Sequence, residues 1–285
     1  MQKKILRYIA LMLVVSLLCV CLVGCGVEAS PETEPTQLRQ QITQTLEKDM
    51  RTWAEQMIAA YADYCGISAS SYPMQLVELL DKNHETASFV LEYPFEHDKE
   101  HVIDLSEYVG SETMPLFLQW DKRWGYLTYG ADMAGITACG PLCLSMVAFY
   151  LTGDVNMSPD KIMAYSMENK YCVPGKGTAW TLISRGAEGL GLNAKELPLV
   201  ESRVRRELEA GNPVICVMGP GVFTTTGHFI VLTGYEDGKY RVNDPNSVER
   251  SNKLWSFSEF SDQIRNLWAM SLKEEMKTES GEASS

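Results

Sequence analysis

The sequence predicts an α+β fold in which a helical half packs on an antiparallel sheet. Between residues 141 and 210, capping residues and apolar spacing indicate successive helices. From residue 213 onward, short apolar runs rich in β-branched residues are typical of strands, and Asp237-Gly238 between two of them is a strong hairpin signal. Helices followed by strands in separate blocks favour the α+β class.

The chain begins with a predicted signal peptide, residues 1–24. Lys3, Lys4 and Arg7 precede an apolar stretch, residues 8–23, that is broken only by Ser16. This stretch is shorter than the roughly 20 residues that a spanning helix prefers. It ends in Leu-Val-Gly-Cys, which resembles a bacterial lipobox, so we expect a lipid on Cys25 and an extracytoplasmic, membrane-anchored lipoprotein. An uncleaved signal anchor is the alternative.

The charge of the chain argues against nucleic-acid partners. Removal of the signal leaves 22 Lys and Arg against 37 Asp and Glu, a formal charge of −15. Such a surface repels nucleic acid and anionic lipid head groups. Membrane attachment is therefore expected through the acyl chains on Cys25. Five cysteines remain beyond Cys25, and an odd number indicates at least one free thiol.

Two regions follow the signal. Residues 25–35 predict a flexible tether, and residues 36–114 a helix-rich N-terminal region. Within the latter, the apolar spacing predicts one long helix over 36–64, a shorter one over 74–80, and extended segments at 87–93 and 101–105. The acidic tail, residues 273–285, is expected to be disordered.

Residues 115–272 carry the predicted catalytic domain. Residues 141–151 are apolar apart from Ser145 and predict a helix buried on all sides, ended by Gly153. The remaining helices are predicted at 159–168 with Ser158 as N-cap, at 178–189 with Thr178 as cap, and at 201–210. Strands are predicted at 213–218, 227–235, 240–244 and 266–271.

Three residues in this domain have the chemistry of an activated thiol. Cys139 lies at the start of the buried helix, where unpaired amides and the helix dipole favour a thiolate. His228 is the sole histidine after residue 115, and Asp244 follows it by sixteen residues. These are the parts of a nucleophile, a base and a group that orients the base. The Cys139 N–H and Gln119 are candidate donors to an oxyanion. Each residue alone could equally be a core or loop residue.

The predicted hairpin presents a geometric difficulty. A two-residue turn at Asp237-Gly238 pairs Asp244 with Val231, which faces away from His228. We therefore predict a bulge or a longer turn that puts Asp244 and His228 on one face. Asn243 would orient the histidine if no such irregularity is present.

Two further motifs were considered. Cys143 follows Cys139 by one helical turn, but no second cysteine pair or nearby histidine completes a zinc site, so no metal or cofactor is expected. Residues 219–227 lack the Gly-Lys-Ser/Thr ending of a phosphate loop, which argues against a nucleotide. They suit a mobile lip over a peptide groove, with Trp180, Phe223 and Gly227 as substrate-binding residues, or else an ordinary surface loop.

Four segments in order resemble one family. They are 118–124 (Leu-Gln-Trp-Asp-Lys-Arg-Trp), 138–147 (Ala-Cys-Gly-Pro-Leu-Cys-Leu-Ser-Met-Val), 227–232 (Gly-His-Phe-Ile-Val-Leu) and 242–245 (Val-Asn-Asp-Pro). They are similar to cysteine peptidase family thirty-nine, the papain-like family of double-glycine, bacteriocin-leader peptidases and their stand-alone relatives. The resemblance implies a papain-like fold with Cys139 as nucleophile, His228 as general base, Asp244 as orienter and Gln119 in the oxyanion hole.

The departures from that family concern the substrate. Leader-cutting members are usually fused to an exporter with an ATPase and act in the cytoplasm, whereas the lipobox predicts a domain outside the cell. We therefore expect extracellular peptides, or peptide cross-links of the envelope, as substrates of a cysteine peptidase. The alternatives are a catalytically silent peptide-binding lipoprotein and an envelope amidase or acyltransferase. Residues 36–114 resemble no named family and could mask the groove.

Overall fold

The computed structural model describes residues 51–274. The predicted signal peptide, the lipobox with Cys25, the tether and the first part of the predicted long helix therefore lie outside the described residues, as does the tail from residue 275. Between residues 51 and 274, no helix has the length and apolar character needed to cross a membrane.

The N-terminal region consists of three helices, α1 (Trp53–Cys65), α2 (Met74–Lys82) and α3 (Ala87–Glu96). Helix α1 begins with a capping box between Thr52 and Glu55, and Gly66, in the left-handed conformation, ends it. Because Thr52 has an extended backbone, the prediction of one continuous helix over 36–64 is wrong at this residue. The predicted helix over 74–80 is confirmed as α2.

Helix α3 corrects a second prediction. Residues 87–93 were expected to be extended, but they form the first two turns of a helix. Phe89 and Val90 are buried against α1 and α2, so packing overrides the strand preference of this segment. Residues 101–105 form no regular element.

Residues 115–272 contain six further α-helices: α4 (Ala134–Thr137), α5 (Cys139–Thr152), α6 (Pro159–Glu168), α7 (Ala187–Gly189), α8 (Glu201–Glu209) and α9 (Val248–Asn252). Helix α5 is buried over residues 140–149 and ends at Gly153, as predicted. Thr178, expected to cap a helix, lies in a strand instead, and a π-helical turn at Leu182–Gly186 precedes α7. Ser158 precedes α6, but its hydroxyl donates to Asp160 rather than capping the helix.

The strands are β1 (Thr128–Tyr129), β2 (Asp132–Met133), β3 (Cys172–Val173), β4 (Gly177–Thr178), β5 (Leu192–Glu196), β6 (Val214–Met218), β7 (His228–Glu236), β8 (Lys239–Asn243), β9 (Leu254–Trp255) and β10 (Ile264–Leu272). Six form one antiparallel sheet in the order β5-β10-β6-β7-β8-β9. The four predicted strands are confirmed as β6, β7, β8 and β10. Strand β5 was missed because it lies at the sheet edge and buries only Leu192 fully.

The sheet separates two hydrophobic cores. Helix α5 packs on one face, where Ile215, Val217, Phe229 and Val231 point toward it. The opposite face is covered by α8 and by aromatic side chains from the loops around residues 223 and 255–260. This arrangement confirms the predicted α+β class.

The hairpin between β7 and β8 contains the predicted irregularity. Asp237 and Gly238 both have positive φ, 50° and 79°, and the turn pairs Glu236 with Lys239. Further along, Gly234 pairs with Arg241 but Leu232 pairs with Val242, so Thr233 is the extra residue of a bulge. The bulge shifts the register by one, which brings Asp244 to the face that carries His228.

Candidate active site

His228 and Asp244 form the buried centre of the site. His228 Nε2 lies 2.7 Å from Asp244 Oδ1, and the two side chains are only 7% and 0% exposed. Burial by itself lowers the pKa of His228, but the negative charge of Asp244 and the hydrogen bond to it outweigh burial and raise that pKa. Burial opposes the ionised form of Asp244 too, yet His228 and Arg250 hold its pKa below the usual value. Asp244 therefore stabilises the protonated form of His228.

Asp244 has two more partners on its own side of the site. Arg250 Nε donates to Oδ2 at 2.5 Å, and the Asn246 backbone N–H donates to Oδ1 at 2.8 Å. Arg250 is not among the site residues predicted from the sequence. A buried carboxylate needs a positively charged partner. Arg250 is the first basic residue after Asp244 in the sequence, so it could have been predicted as that partner.

Cys139 is the first residue of α5, and it lines the same two cavities as His228. The Cys139 side chain raises the pKa of His228 further. Because Asp244 occupies Nε2, the ring nitrogen that remains for the sulfur is Nδ1. As the first residue of the helix, Cys139 has a backbone N–H without an acceptor in its own helix.

The residue after the thiol is held against strand β4. A Cβ at Gly140 would lie 2.8 Å from Thr178 Cβ, closer than any ordinary contact. Glycine at this position therefore lets the start of α5 approach the β3-β4 hairpin. The Thr178 hydroxyl contacts the Tyr129 hydroxyl at 2.9 Å, which fixes the hairpin in place.

Gln119 lines the same cavity as Cys139 and His228. Its side chain is buried, and Nε2 donates one hydrogen to the Gly135 carbonyl at 2.8 Å. The second hydrogen of Nε2 is available to a substrate oxygen. The Gln119 backbone N–H donates to the Pro245 carbonyl at 2.7 Å, which ties this segment to the turn after Asp244.

The cleft has two hollows that meet at Cys139 and His228. The first, about 620 Å³, lies between helix α2 and the loop of residues 221–227. The second, about 350 Å³, lies beside the β3-β4 hairpin and is bordered by Trp180, Val217 and Phe229. The two hollows therefore lie on either side of Cys139 and His228 and share these residues with Ile136, Thr226 and Gly227.

The three expected substrate-binding residues are placed differently. Gly227 borders both hollows, and Trp180, 45% exposed, borders the second. Phe223 borders the first hollow, but its ring is buried and lies 4.7 Å from that of Trp255. Phe223 thus anchors the loop of residues 219–227 on the sheet.

The remaining candidates lie away from the reacting atoms. Asn243, the alternative orienter, points to the other side of β8 and donates to the Pro115 carbonyl at 3.0 Å. Cys143 is fully buried, and burial raises the pKa of its thiol well above the usual range. All five cysteines between residues 51 and 274 are free thiols. In the same range, no three His, Cys, Asp or Glu side chains are grouped as a metal site requires.

The fold and the cleft define a cysteine peptidase-like domain. A sequence profile of the family described as Peptidase_C39 like matches residues 111–274, more than half of the chain. The chain therefore belongs to the C39-like peptidase family, which confirms the family resemblance and the papain-like fold.

Two solved structures are similar to the chain. One is the peptidase domain of Streptococcus ComA, a bifunctional ABC transporter involved in a quorum-sensing pathway. It is 20% identical with a TM-score of 0.39, and the match covers 56% of this chain and 99% of that one. The other is a C39-like peptidase from Bacillus anthracis, 15% identical with a TM-score of 0.37, where the match covers 56% and 95%. No curated protein matches the chain.

Proposed function

We propose that the chain is an extracytoplasmic cysteine peptidase, anchored through a lipid on Cys25, that hydrolyses peptide bonds with Cys139, His228 and Asp244. The observation that carries the proposal is the buried 2.7 Å contact between His228 and Asp244, with Cys139 and His228 lining the same two hollows. Family membership supports the reaction class.

In the proposed reaction, each step uses one group of the candidate site. His228 Nδ1 takes the proton of Cys139, and the thiolate attacks the carbonyl carbon of the peptide. The oxygen that becomes negative accepts hydrogen bonds from the Cys139 N–H and from Gln119 Nε2. His228 then donates its proton to the leaving amine, which departs and leaves a thioester. A water molecule, deprotonated by His228, attacks the thioester and releases the acid. Asp244 holds the ring in orientation throughout.

The shape of the cleft supports internal cleavage. Substrate residues on both sides of the scissile bond have space, one side in each hollow. The lipobox supports substrates outside the cytoplasm, either extracellular peptides or peptide cross-links of the envelope. The first hollow presents Glu78, Lys82 and Arg250, so polar side chains of a substrate find partners there.

A peptide-library digest tests the proposal. The wild-type chain should cut a subset of peptides, and Cys139→Ala should cut none. Cys65→Ala, which removes a thiol remote from the cleft, is the matched control and should keep the activity. In parallel, iodoacetamide at pH 6 should alkylate Cys139 faster than Cys65. Peptide binding without cleavage, together with slow alkylation of Cys139, would show a silent binding protein and overturn the proposal.

A further inference from the structure

The turn that carries Asp244 is held by residues outside the family domain. Glu85, in the N-terminal region, contacts the turn with both of its carboxylate oxygens. Oε1 accepts from the Ser247 hydroxyl, and Oε2 accepts from the backbone N–H groups of Val248 and Glu249 at 2.7 and 3.2 Å. Ser247 is 1% exposed and Glu85 is half-buried, so their contact is largely shielded from water, whereas the contact to the Glu249 N–H lies at the surface.

Asn83 forms a second link between the same regions. Its Nδ2 donates to the Asn246 carbonyl at 2.6 Å, and its Oδ1 accepts from the Glu85 backbone N–H at 3.1 Å. Asn246 in turn donates its backbone N–H to Asp244 Oδ1. Asn246 alone therefore connects Asn83 to the Asp244 carboxylate, which orients His228.

Helix α9, which carries Arg250, depends on these contacts. It has five residues, far fewer than an isolated helix needs to be stable in water. Ser247 caps it by accepting from the Arg250 N–H at 3.0 Å, and Glu85 takes the N–H groups of the first two residues. Without Glu85, those two groups lose their protein acceptors and α9 is no longer fixed at its start.

We propose that Glu85 and Asn83 are positioning residues of the catalytic site, which hold residues 244–250 so that Asp244 meets His228 and Arg250 meets Asp244. The inference rests on the proposed function, since it assigns the N-terminal region a role in the same reaction. It differs from masking of the groove by that region: loss of a positioning contact lowers activity, whereas loss of a mask raises it.

The test compares two capping carboxylates in the full-length chain. Glu85→Gln keeps the shape of the side chain and removes its charge. Glu55→Gln makes the same change at the capping box of α1, which does not contact residues 244–250. We measure kcat and KM with a peptide substrate, alkylation of Cys139 by iodoacetamide at pH 6, and the melting temperature. Asn83→Ala provides a second, independent variant.

Glu85→Gln should lower kcat about ten-fold, as expected for loss of roughly one charged hydrogen bond, with little change in KM. Alkylation of Cys139 at pH 6 should fall several-fold, because a less well held Asp244 supports the imidazolium less. Glu55→Gln should leave kcat, KM and alkylation unchanged, even if it lowers the melting temperature. Equal kcat and equal alkylation in the two variants, or a higher kcat in Glu85→Gln, would overturn the inference.

The failures of the two proposals are distinguishable. If the wild-type chain cuts no peptide but Glu85→Gln still slows alkylation of Cys139, the peptidase proposal fails and the positioning role stands. If the wild-type chain cuts peptides and Glu85→Gln matches Glu55→Gln in every measurement except melting temperature, the positioning role fails alone.

Discussion

Arg250 binds Asp244 from the side opposite to His228. Its Nε lies 2.5 Å from Oδ2, while His228 Nε2 lies 2.7 Å from Oδ1, so a carboxylate with no exposed surface has a cation on each oxygen. A buried charge that loses its partner is costly, and here each partner limits the cost of losing the other. Loss of one contact should therefore destabilise the chain less than loss of both.

Asp244→Asn should lower kcat/KM by about 100-fold or more, because the ring loses the group that orients it. The alkaline limb of the pH profile should move to lower pH. The sign follows from the pKa of His228: burial lowers it, and Asp244 raises it by more, so removal of the charge brings it down. Profiles of kcat/KM against pH check this. Asp237→Asn makes the same change at the exposed tip of the hairpin and should not shift the alkaline limb of the profile.

Stability should depend on pH through His228. We compare Cys139→Ala with the double variant Cys139→Ala/His228→Gln, so that the Cys139 thiol is absent from both chains. The pKa of His228 is raised in the folded chain, so its contribution is complete below about pH 6.5. Above that pH, the difference in the free energy of unfolding between the two chains should fall by up to about 1.4 kcal/mol per pH unit. The fall ends when the pH exceeds the pKa of His228 in the folded chain. Urea unfolding from pH 5 to pH 9 measures it. A constant difference across this range would contradict the expected pairing.

Arg250→Gln should destabilise the chain by about 1 to 2 kcal/mol, since Asp244 keeps His228 and Arg250 is itself partly exposed. Arg241→Gln is the matched control. Its pair with Glu236 is more than half exposed, so we expect a change below about 0.5 kcal/mol. The urea midpoints of the two variants measure this difference. Equal midpoints would mean that the contact between Arg250 and Asp244 contributes nothing to the free energy of unfolding.

Gln119→Ala should lower kcat by about 10² to 10³-fold with a small change in KM, as expected for a donor used in the transition state. Gln75→Ala removes another amide that lines the first hollow. That variant should change KM alone. Steady-state kinetics with one peptide separates the two effects, and a rise in KM with constant kcat in Gln119→Ala would remove Gln119 from the oxyanion site.

Cys25→Ala should abolish incorporation of an alkyne-labelled fatty acid and release the protein from the membrane fraction, because the acyl chains are the proposed anchor. Cys21→Ala, four residues earlier in the predicted signal, is the matched control and should still be labelled. Labelling followed by fractionation checks both. A Cys25→Ala protein that stays in the membrane fraction would favour the uncleaved signal anchor.

The sequence was sufficient where structure is set by near neighbours. Helix α5 could be predicted from its apolar run and Gly153. A bulge or a longer turn in the hairpin could be predicted from the need to bring Asp244 to the face of His228, but its position at Thr233 could not. Helix α3 could not, because Phe89 and Val90 are helical only when α1 and α2 cover them. Glu85 was not identifiable either, since its partner Ser247 is 162 residues away and no local pattern connects them.

The distance in sequence between Glu85 and Ser247 also affects the order in which parts of the molecule fold. Helix α5, with its sulfur, is built from nearby residues, whereas His228, Asp244, Arg250 and Glu85 meet only after long loops have closed, and such closures are slow. A chain that has folded only as far as α5 thus carries the sulfur without the proposed base. The proposed base and its partners consequently reach the sulfur only late in folding.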